Sequence, residues 1–258
     1  EELGIKPLQA EPLIRVTHHY HDRSVLLEVY RVPKFSGVPQ GMEGQPLRWV
    51  LPETLRPEQF PAADRPIIHA LQLHGHYLIT GRDPFQTHRF LAQLNASLRR
   101  GLRRVLLRAH ELRDAEYRPL LETAWKICRK HDARLLLSRP ENPHSWSGMS
   151  DGMHLNRHQL MGMSGRPAEA GWVGASCHNP EELKQAETLG LDYVFLSPVE
   201  ATTSHPDAAT LGWERFARWV ESVNLPVYAL GGMAPDALER ARLHGAQGVA
   251  GISGFWAE

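Results

Sequence analysis

The feature that most limits how this chain can fold is a regular alternation of short apolar segments and amphipathic segments that begins at His76. The apolar segments have the length of buried β-strands, and most of the stretches between them are long enough for helices. Eight such units predict a parallel sheet closed into a (β/α)8 TIM barrel, with an open doubly wound sheet as the alternative. The predicted strand cores are residues 77–80, 105–108, 134–138, 152–155, 172–177, 193–198, 227–230 and 248–252.

The helices of this predicted barrel lie between its strands. The clearest amphipathic stretches are residues 85–100, 114–131, 180–189, 213–223 and 235–244. Too few residues follow the last strand for another helix. We therefore expect a barrel that lacks a full eighth helix, so that another segment must cover the strands at that seam.

Residues 1–73 follow a different pattern. A helix is predicted over residues 61–73, with Pro66 in its first turn, where a missing N–H is tolerated. The start of the chain is typical of a last helical turn capped by Gly4, so we expect the chain to be a fragment. Two domains are predicted, residues 1–73 and 75–258. The predicted strands of the first cover residues 12–18, 24–32 and 47–50.

Composition excludes several classes of protein. The 29 Lys and Arg residues balance 29 Asp and Glu residues, and neither part of the chain is basic, so a nucleic-acid partner is not expected. No apolar run approaches the ~18 residues of a transmembrane helix, so no membrane partner is expected either. Two cysteines exclude a disulfide framework and suit a reducing compartment, which predicts a cytoplasmic protein.

Glycines follow the last two predicted strands, at the end of the barrel where active sites lie. Gly231 and Gly232 follow the seventh strand, and the eighth ends in Gly251-Ile252-Ser253-Gly254. Small residues let backbone N–H groups approach an oxyanion, so these loops predict a phosphorylated small molecule as ligand. The alternative is that the glycines only permit tight turns. The predicted phosphate-binding residues are Gly231, Gly232, Ile252 and Ser253.

Polar side chains follow several other predicted strands. An arginine and several histidines around one mouth suit an anionic substrate and proton transfer near neutral pH. For each histidine the alternative is a structural role, either on the surface or in the core with its hydrogen bonds made within the protein. No HExxH motif or paired carboxylate accompanies them, so no metal cofactor is predicted for the barrel. The candidates are Arg108, His110, Ser138, Arg139, His154, Ser176, His178, Ser204 and His205.

Six short motifs occur in order along residues 76–258. They are His76-Tyr77-Leu78-Ile79-Thr80, Asp151-Gly152-Met153-His154-Leu155, Gly174-Ala175-Ser176-Cys177-His178, Asp192-Tyr193 to Ser197-Pro198, Ala229-Leu230-Gly231-Gly232 and Gly248-Val249-Ala250-Gly251-Ile252-Ser253. In this order they resemble the thiamine-phosphate synthase and thiazole tautomerase family. The resemblance implies a TIM barrel in which the backbone N–H groups of Gly232, Ile252 and Ser253 hold a phosphate.

This chain departs from the synthase pattern at the positions that handle pyrophosphate. Of the Gln-x-Arg-x-Lys of the pattern only the arginine, Arg108, is kept, and His110 stands at the lysine position. Ser138 and Arg139 replace an Asn-Asp pair, and Gln159 replaces the Asp that is the second magnesium ligand. Losing both carboxylates removes the metal that would bridge a pyrophosphate leaving group, so synthase activity is not expected.

The tautomerase branch of the family needs no metal and has an acid–base histidine at the position of His178. The resemblance therefore favours a tautomerase-like barrel in which His178 is catalytic. A barrel that binds a phosphorylated ligand without chemistry, as a regulatory module, is the alternative. A third hypothesis makes the barrel a structural partner whose seam is closed by the helix over residues 61–73.

The first domain has motifs of its own. They are Glu1-Glu2-Leu3-Gly4-Ile5, Glu43-Gly44-Gln45, Leu47-Arg48-Trp49-Val50 and Phe60-Pro61-Ala62-Ala63-Asp64-Arg65-Pro66-Ile67. In this order they resemble the second half of a MutT-type Nudix hydrolase, an 8-oxo-dGTP diphosphatase. The resemblance implies a nucleoside triphosphate substrate, Mg²⁺ bound by Glu1, Glu2 and Glu43, and a nucleobase contact at Asp64.

The Asp at position 64 stands where the MutT pattern has Asn, so the nucleobase preference is open. Because the first half of the Nudix pattern is absent, we expect hydrolysis from the parent protein rather than from this fragment. The fold class predicted for the whole chain is thus α/β, a TIM barrel preceded by a partial Nudix domain. The alternative for residues 1–73 is an unrelated α/β cap.

Overall fold

The computed structural model describes residues 2–19, 21–81, 83–139, 146, 148–167, 171–202 and 209–257. The chain forms two compact units, Glu1–Leu73 and His74–Glu258. Within the described residues no helix is both long and apolar enough to cross a membrane. Both cysteines, Cys128 and Cys177, are buried free thiols.

The first unit is built on one β-hairpin and one short helix. Strands β1 (Lys6–His19) and β2 (Ser24–Ser36) pair antiparallel, with Val16 opposite Leu27. Helix α1 (Arg65–Gln72) has its proline in the first turn and buries Ile68, His69 and Ala70. Both strands extend beyond the predicted ranges, because pairing continues through register shifts in β1.

The strand predicted over residues 47–50 does not form, and the prediction was wrong. These residues form no strand. Among the described residues of this unit, β1 and β2 pair only with each other. A strand needs a neighbour to satisfy its backbone groups, and an apolar pattern alone does not supply one.

The second unit is a closed eight-stranded barrel, as predicted. The strands run β3 (His76–Ile79), β4 (Arg104–Leu107), β5 (Arg134–Leu137), β6 (Gly152–Leu155), β7 (Trp172–Cys177), β8 (Tyr193–Leu196), β9 (Val227–Ala229) and β10 (Gly248–Gly251). Each strand pairs parallel with the next in sequence, and β10 pairs with β3 to complete the ring. Parallel pairing places all the carboxyl ends of the strands at one mouth.

Within the described part of the barrel, six helices connect its strands. They are α2 (Thr87–Arg99), α3 (Asp114–Lys130), α4 (Arg157–Gly162), α5 (Pro180–Thr188), α6 (Gly212–Val220) and α7 (Leu238–Leu243). Helix α4 was not predicted, because six residues are too few for an apolar period to stand out. Its signal is the pair Asn156 and Gln159, which bond reciprocally as a capping box.

A short turn follows β10. The backbone N–H of Trp256 donates to Ile252 at 2.8 Å. The Trp256 ring lies 5.0 Å from that of Phe90 on α2, and its Nε1 donates to Gln93 at 3.1 Å. One large aromatic side chain thus ties the last described residues to the first helix of the barrel.

We expect Trp256→Ala to lower the free energy of unfolding by about 2–3 kcal/mol, below the ~3–5 kcal/mol of a fully buried aromatic, because this ring is half-buried. Urea unfolding of the full chain measures the change. Trp256→Phe should recover most of it by keeping the ring packing. Trp49→Ala is the matched control, since Trp49 is 80% exposed and its loss should cost within about 0.5 kcal/mol. Equal effects of the two alanine variants would contradict the prediction.

Candidate functional site

Two glycine-bearing loops lie side by side at the mouth, after β9 and β10. Gly231 and Gly232 adopt φ of +93° and +73°. A Cβ on Gly232 would lie 2.8 Å from the carbonyl oxygen of Ala201, so only glycine fits there. A Cβ on Gly254 would lie 3.0 Å from the carbonyl oxygen of Met233, which shows how closely the second loop packs against the first.

The exposed residues of these loops are Gly232 and Ser253. Among the described residues, the backbone N–H groups of these two make no recorded hydrogen bond. Adjacent, exposed N–H donors in glycine-bearing loops are the arrangement that receives a phosphate. Phosphate binding at these loops stays a prediction.

His178 follows β7 and is exposed at the mouth. Its Nδ1 lies 2.9 Å from the carbonyl oxygen of Ser197 and 3.3 Å from the Ser197 hydroxyl oxygen. The carbonyl can only accept, so the shorter contact requires the proton on Nδ1. In the neutral ring the other nitrogen, Nε2, then carries the free lone pair. This is the tautomer that a general base requires.

Glu182 holds the backbone at His178 and was missed by the sequence analysis. This side chain is 1% exposed and accepts the His178 backbone N–H at 2.7 Å. It also accepts from Asn179 at 2.9 Å and pairs with Arg157 at 2.7 Å. A buried carboxylate with this many partners fixes the chain rigidly where β7 ends. The Asn-x-x-Glu spacing at a helix start could have signalled it.

A chain of hydrogen bonds runs through the barrel interior to the mouth. The hydroxyl oxygens of Tyr77 and Tyr193 lie 2.9 Å apart. Tyr193 Oη lies 3.1 Å from His154 Nδ1, and His154 Nε2 lies 2.9 Å from Ser176 Oγ. Burial lowers the pKa of His154 to about 3, so its imidazole is neutral near pH 7. His154 is therefore a buried member of this chain, and the half-buried Ser176 is its end at the mouth.

Arg108 is half-buried at the end of β4. Thr80 Oγ1 accepts its backbone N–H at 2.9 Å and donates to its carbonyl at 3.1 Å. Its guanidinium has no recorded partner among the described residues. Arg108 is thus a cation at the mouth that can meet an anionic ligand.

The other predicted mouth residues are engaged locally. His110 Nε2 donates to Ser138 Oγ at 3.1 Å, and Ser138 donates to the Leu107 carbonyl at 3.0 Å. Arg139 donates to the Leu112 carbonyl at 3.0 Å and pairs with Asp114 at 3.1 Å. Ser204 and His205 lie outside the described residues.

The side chains at the synthase metal positions do not fit Mg²⁺. Ser138 and Arg139 have the partners given above. Gln159 accepts the Asn156 backbone N–H at 2.8 Å within the cap of α4. None of the three is a carboxylate, the ligand that Mg²⁺ prefers. In the described part of the chain no three histidine, cysteine or acidic residues cluster in a way that could hold a metal ion.

In the first unit, the backbones of Glu2 and Glu43 are close neighbours. Met42 N–H donates to the Glu2 carbonyl at 2.9 Å, and the Gln45 side chain donates to the same carbonyl at 3.2 Å. Glu1 lies outside the described residues. Asp64 is half-buried at the start of α1, where its side chain makes no capping bond.

Comparison with known proteins finds one matching model for each unit. The thiamine monophosphate synthase family model matches residues 76–255, and a NUDIX domain model matches residues 1–70. A putative thiamine-phosphate synthase 2 of Aquifex aeolicus is 34% identical over 186 residues, which cover 72% of this chain and 99% of that protein. A putative thiamine-phosphate synthase of Geobacter sulfurreducens is 31% identical, covering 70% and 86%.

Among solved structures, the thiamine phosphate pyrophosphorylase from Pyrococcus furiosus is similar with a TM-score of 0.57 and 25% identity. The match covers 69% of this chain and 85% of that one.

Because its folded-state pKa is depressed, His154 should make stability depend on pH. The unfolded chain binds a proton at His154 below pH ~6.5, whereas the folded chain stays neutral down to about 3. Stability from this group is therefore lost as pH falls through that window, by ~1.4 kcal/mol per pH unit. Urea unfolding between about pH 6 and pH 4 should show a shallower pH dependence for His154→Gln. Equal slopes would contradict a neutral buried His154.

Proposed function

Because the chain belongs to the thiamine monophosphate synthase family, we propose that its barrel, residues 75–258, binds a phosphorylated small molecule and moves a proton on it, as a thiazole tautomerase does. The proposal rests on a difference between two parts of the barrel mouth, the synthase metal positions and the positions that would bind and protonate a ligand. The synthase metal positions are occupied by Ser138, Arg139 and Gln159, each engaged in local hydrogen bonds. The glycine loops and His178 remain open to a ligand.

Phosphate binding would come from the N–H groups of Gly231, Gly232, Ile252 and Ser253, with Arg108 as an added positive charge at the mouth. Backbone donors suit a phosphate because they are fixed before the ligand arrives. The formal net charge of +0 fits this arrangement, since local donors rather than global charge would attract the anion.

His178 would be the acid and base of the tautomerisation. Its Nε2 lone pair takes a proton from one carbon of the ligand, and the electron pair of that C–H bond moves into the conjugated ring system. The resulting imidazolium returns a proton to a second carbon, so atoms and electrons balance without an oxidant or a metal. The Ser197 carbonyl, bonded to Nδ1, stabilises this imidazolium and keeps the ring oriented.

We expect His178→Ala to lower turnover of thiazole carboxylate phosphate by about 10²–10⁴-fold, the usual contribution of a positioned general acid–base group. Product formation by the full chain measures it. His158→Ala is the matched control, because His158 is exposed on α4 and should leave turnover unchanged. Binding without turnover in the wild-type protein would favour the non-catalytic, regulatory module instead.

Gly232→Ala tests phosphate binding separately from catalysis. Calorimetric titration with inorganic phosphate should show at least about tenfold weaker binding, since the new Cβ meets the Ala201 carbonyl and shifts the loop. Gly101→Ala controls for backbone strain, because Gly101 has φ +94° but no atom near its Cβ position. An equal loss of phosphate affinity in both variants would mean that the glycines after β9 and β10 only permit tight turns.

For residues 1–73 we propose a second function, a Nudix pyrophosphohydrolase of 8-oxo-dGTP or a related nucleoside triphosphate in a protein with the complete Nudix box. The hydrogen bond from Met42 N–H to the Glu2 carbonyl favours it, because Met42 is the residue before Glu43. Glu1, Glu2 and Glu43 would hold Mg²⁺, which neutralises the polyphosphate and orients the attacking water when bound. Asp64 would contact the nucleobase.

In a protein with the complete box, Glu2→Gln and Glu43→Gln should each lower pyrophosphate release from 8-oxo-dGTP at least about tenfold, because each removes a metal ligand. A coupled assay for released pyrophosphate measures the rate. Glu53→Gln, an exposed carboxylate outside the predicted site, should change nothing. No release from any oxidised or normal dNTP by the wild-type protein would overturn this function.

A further inference from the structure

The protons of the buried chain from Tyr77 to Ser176 can run in either of two directions. An arrangement in which Tyr193 accepts from both Tyr77 and His154 would leave the buried Tyr193 proton without an acceptor among the described residues. Each hydroxyl and the neutral His154 ring has one proton to donate along the chain. In one direction Tyr77 donates to Tyr193, Tyr193 donates to His154 Nδ1, and His154 donates from Nε2 to Ser176. In the other, Ser176 donates to Nε2, and every bond is reversed.

The Tyr77 end decides between the two directions. Tyr193 is the one recorded hydrogen-bond partner of the Tyr77 hydroxyl among the described residues. If Tyr193 donated to Tyr77, the buried Tyr77 proton would lack an acceptor there, which is costly in an apolar interior. Tyr77 therefore donates to Tyr193.

We propose that Tyr77 sets the direction of this chain, so that His154 donates to Ser176 and Ser176 presents its own hydroxyl proton to the mouth. Ser176 is then a specificity-determining hydrogen-bond donor. It selects a ligand with an acceptor at that point, an anionic oxygen or an unprotonated ring nitrogen, and disfavours a donor. Tyr77, Tyr193 and His154 are positioning residues that act through it. Only the presence of a ligand at the mouth rests on the proposed function.

The direction is tested without any ligand by ¹⁵N NMR of the full chain labelled at histidine. We expect His154 to be protonated at Nε2, with Nδ1 resonating as an unprotonated, pyridine-type nitrogen near neutral pH. His154→Gln identifies the signals by their loss. A proton on Nδ1, or on both nitrogens, would overturn the proposal.

Tyr77→Phe sharpens the test, because the two directions respond oppositely. If Tyr77 is a donor, its loss leaves Tyr193 donating to His154 and the tautomer is unchanged. If Tyr77 is an acceptor, its loss leaves the Tyr193 proton without an acceptor, so Tyr193 turns to donate to His154 and the His154 tautomer switches. A switch would contradict the proposal. Tyr228→Phe is the matched control, since Tyr228 packs in the same cluster at 5.4 Å from Tyr77 but donates to the His74 carbonyl.

The role of Ser176 in ligand choice is tested by titration. Ser176→Ala should weaken binding of thiazole carboxylate phosphate about tenfold, the loss of one hydrogen bond, and leave binding of inorganic phosphate unchanged. Unchanged binding of both would overturn the selective role. If the wild-type protein bound neither, the proposed function would fail, while the His154 tautomer would still decide the direction of the chain.

Discussion

The pairing of β10 with β3 is the constraint on which the rest of the barrel depends, because it turns eight strands into a ring. It requires a close backbone approach, since a Cβ on Gly248 would lie 2.1 Å from the carbonyl oxygen of Gly75. Closure gives the barrel a sealed interior that can bury Arg104 and Tyr77. It also brings together strand ends that are far apart in sequence, so one mouth collects the loops after β4, β7, β9 and β10.

The barrel could be predicted from sequence because each strand is a short apolar run and the runs recur regularly. Placement of Arg108 and His178 at the mouth followed from parallel topology alone. The prediction of a strand over residues 47–50 was wrong, because an apolar pattern does not show whether a neighbouring strand is present to pair with it. The hydrogen-bond partners in the site could not be predicted, since Tyr77 meets Tyr193 across 116 residues of chain, and no local pattern encodes such a pairing.

The departures from the synthase pattern are explained by what the replacements do. Arg139 spans from the Leu112 carbonyl to Asp114, so it braces the loop before α3. Gln159 completes the cap of α4 by accepting the Asn156 backbone N–H. A carboxylate bound to a metal could not make this hydrogen bond at the same time. Reverting Arg139 alone would therefore leave a carboxylate beside Asp114 without the cation that Asp114 now has. Restoring a magnesium site would take coordinated changes in two loops.

The two proposals for the barrel meet at the carboxyl end of β7. Ser176 is the penultimate residue of this strand, and His178 is the first residue after it. They are oriented by separate structures, Ser176 by His154 from inside the barrel and His178 by the Ser197 carbonyl. One strand end would then present a hydrogen-bond donor next to a base. A tautomerisation needs this asymmetry, because the ligand must be held in one orientation by a group that does not compete for the migrating proton.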